Sequence, residues 1–507
     1  MQRLPVEERL KWLEAAEEEY QSLMDNNTWK LVELPPGRRA IGSKWVFKLK
    51  TNSEGKVERY KARLVAKGYS QKYGEDFDEV FSPVVNPATI RLLLTIASFK
   101  NLEVRHFDVK TAFLNGDLEE MIYMKQPEGY VDPNNKHLVC QLQRSLYGLR
   151  QAARAWNEKI NSFLLSIGFA TSEADSCLYI KKTGEEFTYF ALHVDDCLCV
   201  GSEESVLDTF RLLSGSFEMK DLGTAANYLG VEVEKFEGYF LLHQRKKIEK
   251  LALDFGMQDA KPIRTPMDAG FYKTKIEDSS QVLPDNIKYR AAIGSLMYLA
   301  TTSRPDVSSA VGILARRVEK PTQADWNAVK RVITYLKTTK DMKLCLRGGS
   351  DMKLVCYVDA DWGGEVQDRK SISGYLFKVG GSCISWFCRK QTSVAQSSTV
   401  AEFVAASMAS QEAVWLRLLL RDMGYTQETP MDMHEDNQSC IKFIMNEKAS
   451  SRIKHLDVKR CFIKDLIKKK EINLVYCPTE DNEADLLTKP LQGGRFRDLR
   501  SRIGLEL

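Results

Sequence analysis

One stretch of this sequence decides the fold: Phe190-Ala191-Leu192-His193-Val194-Asp195-Asp196-Cys197-Leu198-Cys199-Val200-Gly201. An apolar run leads into two adjacent aspartates, and a second apolar run leads out to a glycine. This pattern predicts two short buried strands joined by a tight turn, with the carboxylates at the turn. The alternative is a surface hairpin whose aspartates only stabilise the turn. The apolar flanks count against it, because like charges beside a core are costly unless a cation neutralises them.

The composition predicts a globular protein of several domains. The chain has 507 residues, 43% of them hydrophobic and 28% charged, and a single core rarely serves so long a chain. A formal net charge of +4 permits a nucleic-acid partner without requiring one. Eleven cysteines at irregular spacings predict free thiols in a reducing compartment. Since there is no apolar signal segment and no run of membrane-spanning length, we expect an intracellular protein with no membrane partner.

A candidate phosphate-binding strand lies nearer the N-terminus. Residues 45–50 and 58–67 alternate between apolar and charged side chains, which predicts two strands joined by a turn at residues 52–55. In the second strand Lys61 and Arg63 alternate with apolar residues, so that one face would meet phosphates while the other packs on protein. An exposed strand with ordinary surface charge is the alternative.

A third carboxylate for the hairpin is offered by Asp108, which ends a short strand predicted from residue 104. One acid at a strand end is usually a cap. It is also the place from which a metal-binding carboxylate would face the Asp195–Asp196 turn.

Residues 145–167 predict a long amphipathic helix. On such a helix Arg150 and Arg154 would share one face, and Gly148 would let the backbone approach a ligand closely. A core helix with a basic surface stripe is the alternative. Further along, residues 261–286 are polar and contain prolines, which predicts a linker.

From about residue 341 the pattern changes to a separate α/β unit. Three predicted strands in a meander are followed by alternating helices and strands, which predicts a mixed sheet. Four acids fall at element ends or on apolar helices: Asp359, Glu402, Asp436 and Asp485. Each alone is more often structural, but carboxylates that converge at one sheet edge commonly hold divalent ions.

Several motifs are specific enough to identify a family. In the first part of the chain they are Tyr60-Lys61-Ala62-Arg63-Leu64-Val65-Ala66-Lys67-Gly68, Phe107-Asp108-Val109-Lys110-Thr111-Ala112-Phe113-Leu114-Asn115-Gly116, Ser145-Leu146-Tyr147-Gly148-Leu149 and Val194-Asp195-Asp196. In the second they are Tyr357-Val358-Asp359-Ala360-Asp361-Trp362, Glu435-Asp436-Asn437 and Ala484-Asp485-Leu486-Leu487-Thr488-Lys489. From about Tyr20 to near the C-terminus, the sequence closely resembles the reverse transcriptase and ribonuclease H (RNase H) region of copia-type LTR retrotransposon Pol polyproteins.

The resemblance implies an α+β, mixed multidomain fold. It would comprise a right-hand polymerase with fingers, palm and thumb, a helical connection, and an RNase H-like α/β domain with a mixed five-stranded sheet. We place the fingers and palm at residues 1–244, the thumb and connection at 245–340, and the RNase H-like domain at 341–507.

The resemblance also implies two metal sites, each with two Mg²⁺ ions that Mn²⁺ may replace. Asp108, Asp195 and Asp196 would form the polymerase triad, with Asp108 and Asp195 as the firmer ligands. Asp359, Glu402, Asp436 and Asp485 would bind the ions of the RNase H site. His455 would touch product or backbone there, although a histidine on a helix surface is the simpler interpretation.

The contacts to nucleotide and nucleic acid are implied in the same way. The residues expected around the incoming nucleotide are Lys61, Arg63, Phe113, Tyr147, Gly148 and Gln151, and Phe113 would exclude a ribose 2′-hydroxyl. The residues expected along primer and template are Tyr228, Leu229, Gly230, His193, Arg150 and Arg154. His193 stands where the family usually has tyrosine.

The expected function is RNA- and DNA-directed DNA synthesis with cleavage of RNA in hybrids. Its partners would be an RNA template, a DNA primer or template, an RNA/DNA hybrid, dNTPs, and integrase or capsid of the same element supplied separately. We expect a cytoplasmic, virus-like-particle location with nuclear entry. The family's capsid, protease and integrase regions are absent, so we expect a processed product, a truncated element or a host-retained protein. The alternatives are a remnant that binds nucleic acid without catalysis, and a metal-dependent nuclease with an inactive palm.

Overall fold

A computed structural model of the chain describes residues 5–51, 56–271, 281–446 and 454–507. The turn predicted at 52–55 and part of the linker predicted at 261–286 lie outside these residues. Among the helices of the described ranges, none is both long enough and apolar enough to cross a membrane.

The N-terminal region is a helix packed on an antiparallel strand pair. Its elements are α1 (Val6–Asp25), β1 (Trp29–Val32), β2 (Ser43–Thr51) and β3 (Val57–Ala66). Strands β2 and β3 pair with Ser43 opposite Ala66, in agreement with the predicted strand pair. Trp12 of α1 packs edge-on against Tyr60 of β3, with 4.6 Å between ring centroids. The helix is therefore fixed behind the strand that carries Lys61 and Arg63.

The region that follows is built around a six-stranded antiparallel sheet. Its elements are α2 (Pro87–Lys100), β4 (Glu103–Val109), β5 (Tyr123–Met124), β6 (Val139–Leu142), α3 (Ala152–Ser166), β7 (Ala170–Thr171), β8 (Leu178–Thr183), β9 (Glu186–His193), β10 (Asp196–Gly201), α4 (Glu203–Ser214) and β11 (Met219–Thr224). The strand order is β11-β4-β10-β9-β8-β7, and β1, β6 and β5 form a small sheet beside it. Strands β9 and β10 are the hairpin predicted from the Asp-Asp stretch.

The helix predicted from residue 145 begins later than expected. Residues 145–151 form turns, and Gly148 takes a φ of +92°, which an α-helix does not accommodate. Helix α3 starts at Ala152, so Arg150 precedes it. The prediction that Arg150 and Arg154 share one helix face is therefore wrong.

A second antiparallel sheet joins distant parts of the chain. The elements of this region are β12 (Asn227–Tyr228), β13 (Val231–Phe236), β14 (Tyr239–His243), α5 (Arg245–Asp254), α6 (Ile287–Thr302), α7 (Ser308–Ala315), α8 (Gln323–Thr338) and β15 (Lys343–Arg347). The sheet order is β12-β13-β14-β15, continued by a C-terminal strand at Leu505–Glu506. This sheet crosses the boundaries expected at 244/245 and 340/341, and the domain division remains a prediction.

The C-terminal unit has the mixed five-stranded sheet that was predicted. Its elements are β16 (Leu354–Asp361), β17 (Ile372–Val379), β18 (Ser382–Lys390), α9 (Ser398–Asp422), β19 (Met431–Glu435), α10 (Gln438–Met445), α11 (Lys454–Lys468), β20 (Ile472–Tyr476), α12 (Asp485–Thr488), α13 (Gly493–Arg502) and the C-terminal strand, β21 (Leu505–Glu506). The order is β18-β17-β16-β19-β20. The first three strands pair antiparallel, and β16-β19 and β19-β20 pair parallel.

Candidate catalytic sites

The Asp-Asp hairpin places its carboxylates beside Asp108. In the sheet register Asp196 lies opposite Asp108 on one side and His193 on the other. Val194 takes a φ of +57° in the turn, and the backbone N–H of Val109 donates to the carbonyl of Asp195 at 2.9 Å. Asp108 thus meets two adjacent carboxylates that are far from it in sequence, at one end of the sheet.

Asp108 and Asp195 line a cleft of about 630 Å³ that also receives cations from several other elements, among them β3 and β11. Lys61 and Arg63 reach it from β3, and Lys220 reaches it from β11, where its position in the register is opposite Asp108. Burial raises the pKa of Asp195, and the neighbouring aspartates add to this, while Arg63 opposes it. The cleft therefore combines two acids suited to a metal ion with cations suited to phosphates.

Asp196 occupies a different environment from Asp195. Its Oδ1 lies 3.0 Å from Nε2 of His106, and the imidazole in turn packs edge-on against Tyr228 at 5.4 Å between ring centroids. Asp196 does not line the cleft. The structure therefore separates the two adjacent aspartates, one facing the cleft and one held by a side chain within the sheet.

An aromatic pair adjoins the cations. The guanidinium of Arg63 stands 4.2 Å from the ring centre of Tyr147, and Phe113 packs edge-on against the same ring at 4.6 Å. Burial raises the pKa of Tyr147 to about 12, although Arg63 opposes the shift. Arg63 and Phe113 therefore both contact Tyr147, and their place around a nucleotide stays a prediction.

The remaining residues expected near the nucleotide and template have contacts within the protein. A Cβ atom at Gly148 would collide with the carbonyl oxygen of Ala66, so the close approach at this glycine is to β3. The Gln151 amide donates to the carbonyl of Asp76 at 2.8 Å and accepts from Gln71 at 3.0 Å. Arg150 donates to the carbonyl of Gly68 at 3.1 Å. These contacts hold the segment that follows β3 against the segment that precedes α3.

Arg154 is held by acids rather than left open to solvent. Its guanidinium pairs with Glu79 and with Glu158, the latter at 2.7 Å on the same helix. A template phosphate would have to compete with both carboxylates.

The predicted primer-side residues gather on the other side of the hairpin. His193, Tyr228 and Leu229 line one apolar cavity of about 380 Å³. Leu229 and Gly230 both have positive φ, and the hydroxyl of Tyr298 donates to the carbonyl of Leu229. The three consecutive residues from Tyr228 thus form a tight turn against the hairpin.

A second acidic cluster lies at the edge of the C-terminal sheet. Carboxylate oxygens of Asp359, Glu402 and Asp436 all lie within 4.8 Å of one another. Strands β16 and β19 run parallel with Val358 opposite Glu435, which brings the next residues, Asp359 and Asp436, to one edge. Glu402 joins them from the first turns of α9, whose start is capped by Ser397.

Asp485 stands beside this cluster with its own cations. It is 1% exposed and pairs with the ammonium of Lys489 at 2.6 Å and with Arg495. The hydroxyl of Thr488 from the same turn donates to Asp359. Of the four predicted acids, three therefore form the compact group and the fourth is already paired.

The cluster is electrostatically strained in a way that a cation would relieve. Asp359 and Glu402 are 2% and 5% exposed. Burial and the neighbouring acids raise the pKa of Asp359 to about 7 and raise that of Glu402 well above its usual range. Among the described residues, Oε2 of Glu402 has no hydrogen-bond partner. Oxygen ligands of this kind fit Mg²⁺.

Sequence reasoning assigned no role to three charged residues at these sites. Glu435 is fully buried behind Asp436, with its pKa also raised well above the usual range by burial, and the adjacent Glu-Asp pair was the available signal. Lys489 was quoted as the last residue of a family motif, but the sequence indicated no role for it. Lys220 enters the cleft through strand register, which the sequence does not display. The side chain of His455 lies outside the described part of the chain.

The chain is similar to known proteins over most of its length. A family model described as "Reverse transcriptase (RNA-dependent DNA polymerase)" matches residues 26–269. The chain is 42% identical over 509 aligned residues to the Retrovirus-related Pol polyprotein from transposon TNT 1-94 of Nicotiana tabacum, covering 98% of this chain and 38% of that protein. It is 35% identical to a transposon Ty5-1 protein of Saccharomyces cerevisiae, covering 60% of this chain and 99% of that protein.

Among solved structures, the foamy viral protease-reverse transcriptase in complex with RNA/DNA hybrid is similar to the chain with a TM-score of 0.51. The match covers 93% of this chain and 54% of that one at 11% sequence identity. At this identity the likeness concerns the fold alone. It agrees with the mixed α/β sheets described above, and the predicted fold class is confirmed.

Proposed function

Because the chain belongs to the copia-type retrotransposon Pol family, we propose that it is an RNA- and DNA-directed DNA polymerase with RNase H activity. It would copy retrotransposon RNA into cDNA. The observation that carries this proposal is the cleft in which Asp108 and Asp195 face Lys61 and Arg63. The chain spans 38% of its tobacco relative, so the activity of the whole polyprotein is part of the proposal.

The proposed domains follow the division at 244/245 and 340/341. Residues 1–244 would be fingers and palm, residues 245–340 thumb and connection, and residues 341–507 the RNase H-like domain. The strand Lys343–Arg347, which pairs with β14, would tie the last domain to the preceding region.

In the palm, Asp108 and Asp195 would hold Mg²⁺, with Asp196 in a supporting position beside His106. Bound Mg²⁺ lowers the pKa of a primer hydroxyl and stabilises charge on the transferring phosphate. The protein's part is to hold the two carboxylates at the strand ends, where the Asp-Asp turn and β4 fix them. Burial and the neighbouring aspartates destabilise the charged form of Asp195. A bound cation would relieve that destabilisation.

Around the nucleotide, the proposed division of labour follows from contacts already described. Lys61 and Arg63 would neutralise the triphosphate, and Arg63 would be oriented by stacking on Tyr147. Phe113, packed against that same ring, would press on the sugar and exclude a 2′-hydroxyl. Gly148 and Gln151 would act by shaping the loop beneath this pocket, and His193 and the Tyr228-Leu229-Gly230 turn would support the primer end.

In the C-terminal domain, Asp359, Glu402, Asp436 and Asp485 would hold Mg²⁺ and cleave the RNA strand of a hybrid. Lys489 would balance the charge of Asp485 and Asp359. Burial of Asp359, Glu402 and Asp485 would keep these side chains rigid, so that their oxygens keep a fixed direction toward the ions.

The proposed partners are the RNA template, the DNA primer and template strands, the RNA/DNA hybrid and dNTPs. Integrase or capsid of the same element would be supplied separately. We propose an intracellular location, in cytoplasmic virus-like particles with nuclear entry of the product.

The test is primer extension on poly(rA)/oligo(dT) with Mg²⁺, run beside the variant Asp195→Asn. We expect dTMP incorporation by the unmodified chain and its loss in the variant, because the amide removes a metal-facing charge. Hybrid cleavage should persist in the variant, since its site lies in another domain.

Absence of extension by the unmodified chain under both Mg²⁺ and Mn²⁺ would sink the polymerase proposal. Retained hybrid binding under those conditions would instead favour a remnant that binds nucleic acid without catalysis.

A further inference from the structure

Helix α1 lies beside the strand that carries two cations of the proposed nucleotide cleft. The reverse transcriptase family model matches from residue 26 onward, so α1, which ends at Asp25, precedes the matched part of the chain. Yet three residues of this helix line the cleft described above: Glu18, Glu19 and Ser22. The N-terminal helix therefore contributes side chains to a cleft whose aspartates come from the six-stranded sheet.

Small side chains let α1 approach β3 closely. Ala15 and Ala16 of the helix and Ala62 of the strand are buried in one small cluster. Successive side chains of a strand point to opposite faces, so Ala62 lies on the face of β3 that is turned away from Lys61 and Arg63. The helix therefore supports the strand from behind, and the two cations remain on the side of the cleft.

Glu19 reaches the free edge of β3. Strands β2 and β3 form a two-stranded sheet, in which every second backbone N–H of β3 points away from β2. The Oε1 atom of Glu19 accepts from the backbone N–H of Leu64 at 3.2 Å. Leu64 is fully buried, and a buried N–H without a partner is costly. The residue that follows Arg63 is therefore held by a side chain of α1.

The same edge of β3 is held a second time, two residues further along. The backbone N–H of Ala66 donates to the carbonyl of Tyr147 at 2.7 Å, and the ring of Tyr147 is the one that Arg63 contacts. The backbone on the C-terminal side of Arg63 is thus fixed at two points, one supplied by α1 and one by the aromatic pair.

The charge of Glu19 also acts on the two cations. Burial raises the pKa of Glu19, while the hydrogen bond from Leu64 and the charges of Arg63 and Lys61 oppose that rise. Burial and the neighbouring Arg63 lower the pKa of Lys61, and Glu19 opposes that shift in turn. Two like charges on one face of a strand repel each other. Glu19 offsets part of this repulsion and so stabilises both cations beside the cleft.

We propose that α1 forms one wall of the nucleotide cleft and that Glu19 is a positioning residue for Lys61 and Arg63. By fixing the edge of β3 at Leu64, Glu19 would keep both cations directed at the triphosphate of an incoming nucleotide. Glu19 contacts the strand, so it would act on nucleotide binding and leave the chemical step unchanged. This inference rests on the proposed function and adds to it a residue that precedes the part matched by the family model.

The experiment measures primer extension on poly(rA)/oligo(dT) as the dTTP concentration is varied. Glu19→Ala removes the acceptor for the Leu64 N–H and should raise the KM for dTTP about 10-fold, the scale of one lost hydrogen bond to a charged group. The kcat should stay unchanged, because Asp108 and Asp195 are untouched and the lost binding is common to the ground and transition states. A lowered KM would mean that Glu19 competes with the triphosphate, and it would overturn the proposal.

Two further variants separate positioning from a general effect on the helix. Glu19→Gln keeps an oxygen that accepts the same hydrogen bond, so it should recover most of the affinity for dTTP. Glu14→Ala is the matched control, since Glu14 is an exposed glutamate of the same helix and does not line the cleft. Equal KM values for Glu19→Ala and Glu14→Ala would overturn the proposal, and so would a glutamine variant as weak as the alanine variant.

Amide hydrogen exchange separates this inference from the proposed function, because it needs no catalysis. Peptides that cover residues 61–66 should exchange faster in Glu19→Ala than in the unmodified chain, and at the unmodified rate in Glu14→Ala. If the unmodified chain does not extend the primer, the proposed function fails, whereas faster exchange would still support the hold of Glu19 on β3. If extension proceeds but the exchange is the same in every variant, the positioning role is overturned and the proposed function stands.

Discussion

The two acidic sites of this chain differ in how the negative charge of their carboxylates is balanced. At the Asp-Asp hairpin, Asp195 faces an open cleft whose cations include Lys61, Arg63 and Lys220 from other strands. At the C-terminal sheet, Asp359 is buried with other acids, and Lys489, the cation that lowers its pKa, pairs with Asp485. An open site leaves room for a substrate to bring charge of its own, whereas a buried one depends on metal ions and its own lysine.

The difference teaches that similar acids need different surroundings for different substrates. In the proposed function a triphosphate would enter the first site and its product would leave, so that site could not close around its carboxylates. A backbone phosphate of a hybrid would only lie across the edge of the second site, which could therefore bury its acids. The raised pKa of Asp359 is the consequence of that burial.

The largest expected effect is the separation of the two activities. Asp359→Asn should reduce RNA cleavage by about 10³-fold or more, the scale seen when an essential catalytic group is removed. Primer extension should be spared, because Asp195 and Asp108 are untouched. Cleavage of labelled hybrid and extension of labelled primer, measured on one preparation, check both parts; loss of both activities would indicate a folding defect instead.

A smaller effect is expected within the open site. Asp196→Asn should slow extension by about 10- to 100-fold, as for groups that support a metal ligand, whereas Asp195→Asn should abolish it. The reason is that Asp196 contacts His106 while Asp195 lines the cleft. Steady-state dTMP incorporation by the two variants, compared side by side, measures the difference. Equal losses would mean that both aspartates face the ions.

The smallest expected effect is a difference in pH dependence. Protonated Asp359 cannot ligate a cation, and its pKa is raised to about 7, so at Mg²⁺ concentrations below saturation cleavage should fall as the pH drops below that value. Extension should persist to lower pH, because Asp195 is less buried and lies near Arg63. Rates of both reactions are measured across a pH series at fixed Mg²⁺. If cleavage and extension lost activity at the same acidic pH, the predicted difference between the two sites would be wrong.

Lys489→Gln sharpens the same measurement. The ammonium of Lys489 lowers the pKa of Asp359, so its removal should move the acid limb of cleavage to higher pH. Lys468→Gln, on an exposed helical position, is the control and should leave the limb in place.

Much of the fold was predictable because local patterns of apolar and polar residues determine many of its helices and strands. The alternation around Lys61 and Arg63 predicted β2 and β3, and the apolar runs beside Asp195 predicted β9 and β10. The helix start at residue 145 was wrong, because the periodicity of this segment did not reveal that Gly148 takes a positive φ. Strand β15, at 343–347, was missed because its pairing partner lies about a hundred residues earlier in the sequence.

The candidate sites were predictable to a similar extent. Most of the proposed carboxylates lie near strand ends or in the first turns of a helix, where the sequence pattern placed them. Asp485 is an exception: it was predicted within a helix from residue 480 to 487 and instead begins a short helix, α12. Their surroundings were not predictable: the pairing of Asp485 with Lys489 and Arg495, the contact of Asp196 with His106, and the burial of Glu435 all depend on packing between elements.

The sequence by itself determined which residue types stand at which element ends, because apolar periodicity and turn chemistry act over a few residues. It therefore determined the Asp-Asp hairpin and the mixed sheet, while the resemblance of its motifs pointed to the family. Only the tertiary structure decided which carboxylates meet, which cations neutralise them and how α1 packs against β3. Those outcomes depend on strand register and on contacts between residues up to about three hundred positions apart, such as Arg91 with Ile384. The local sequence pattern does not predict such contacts.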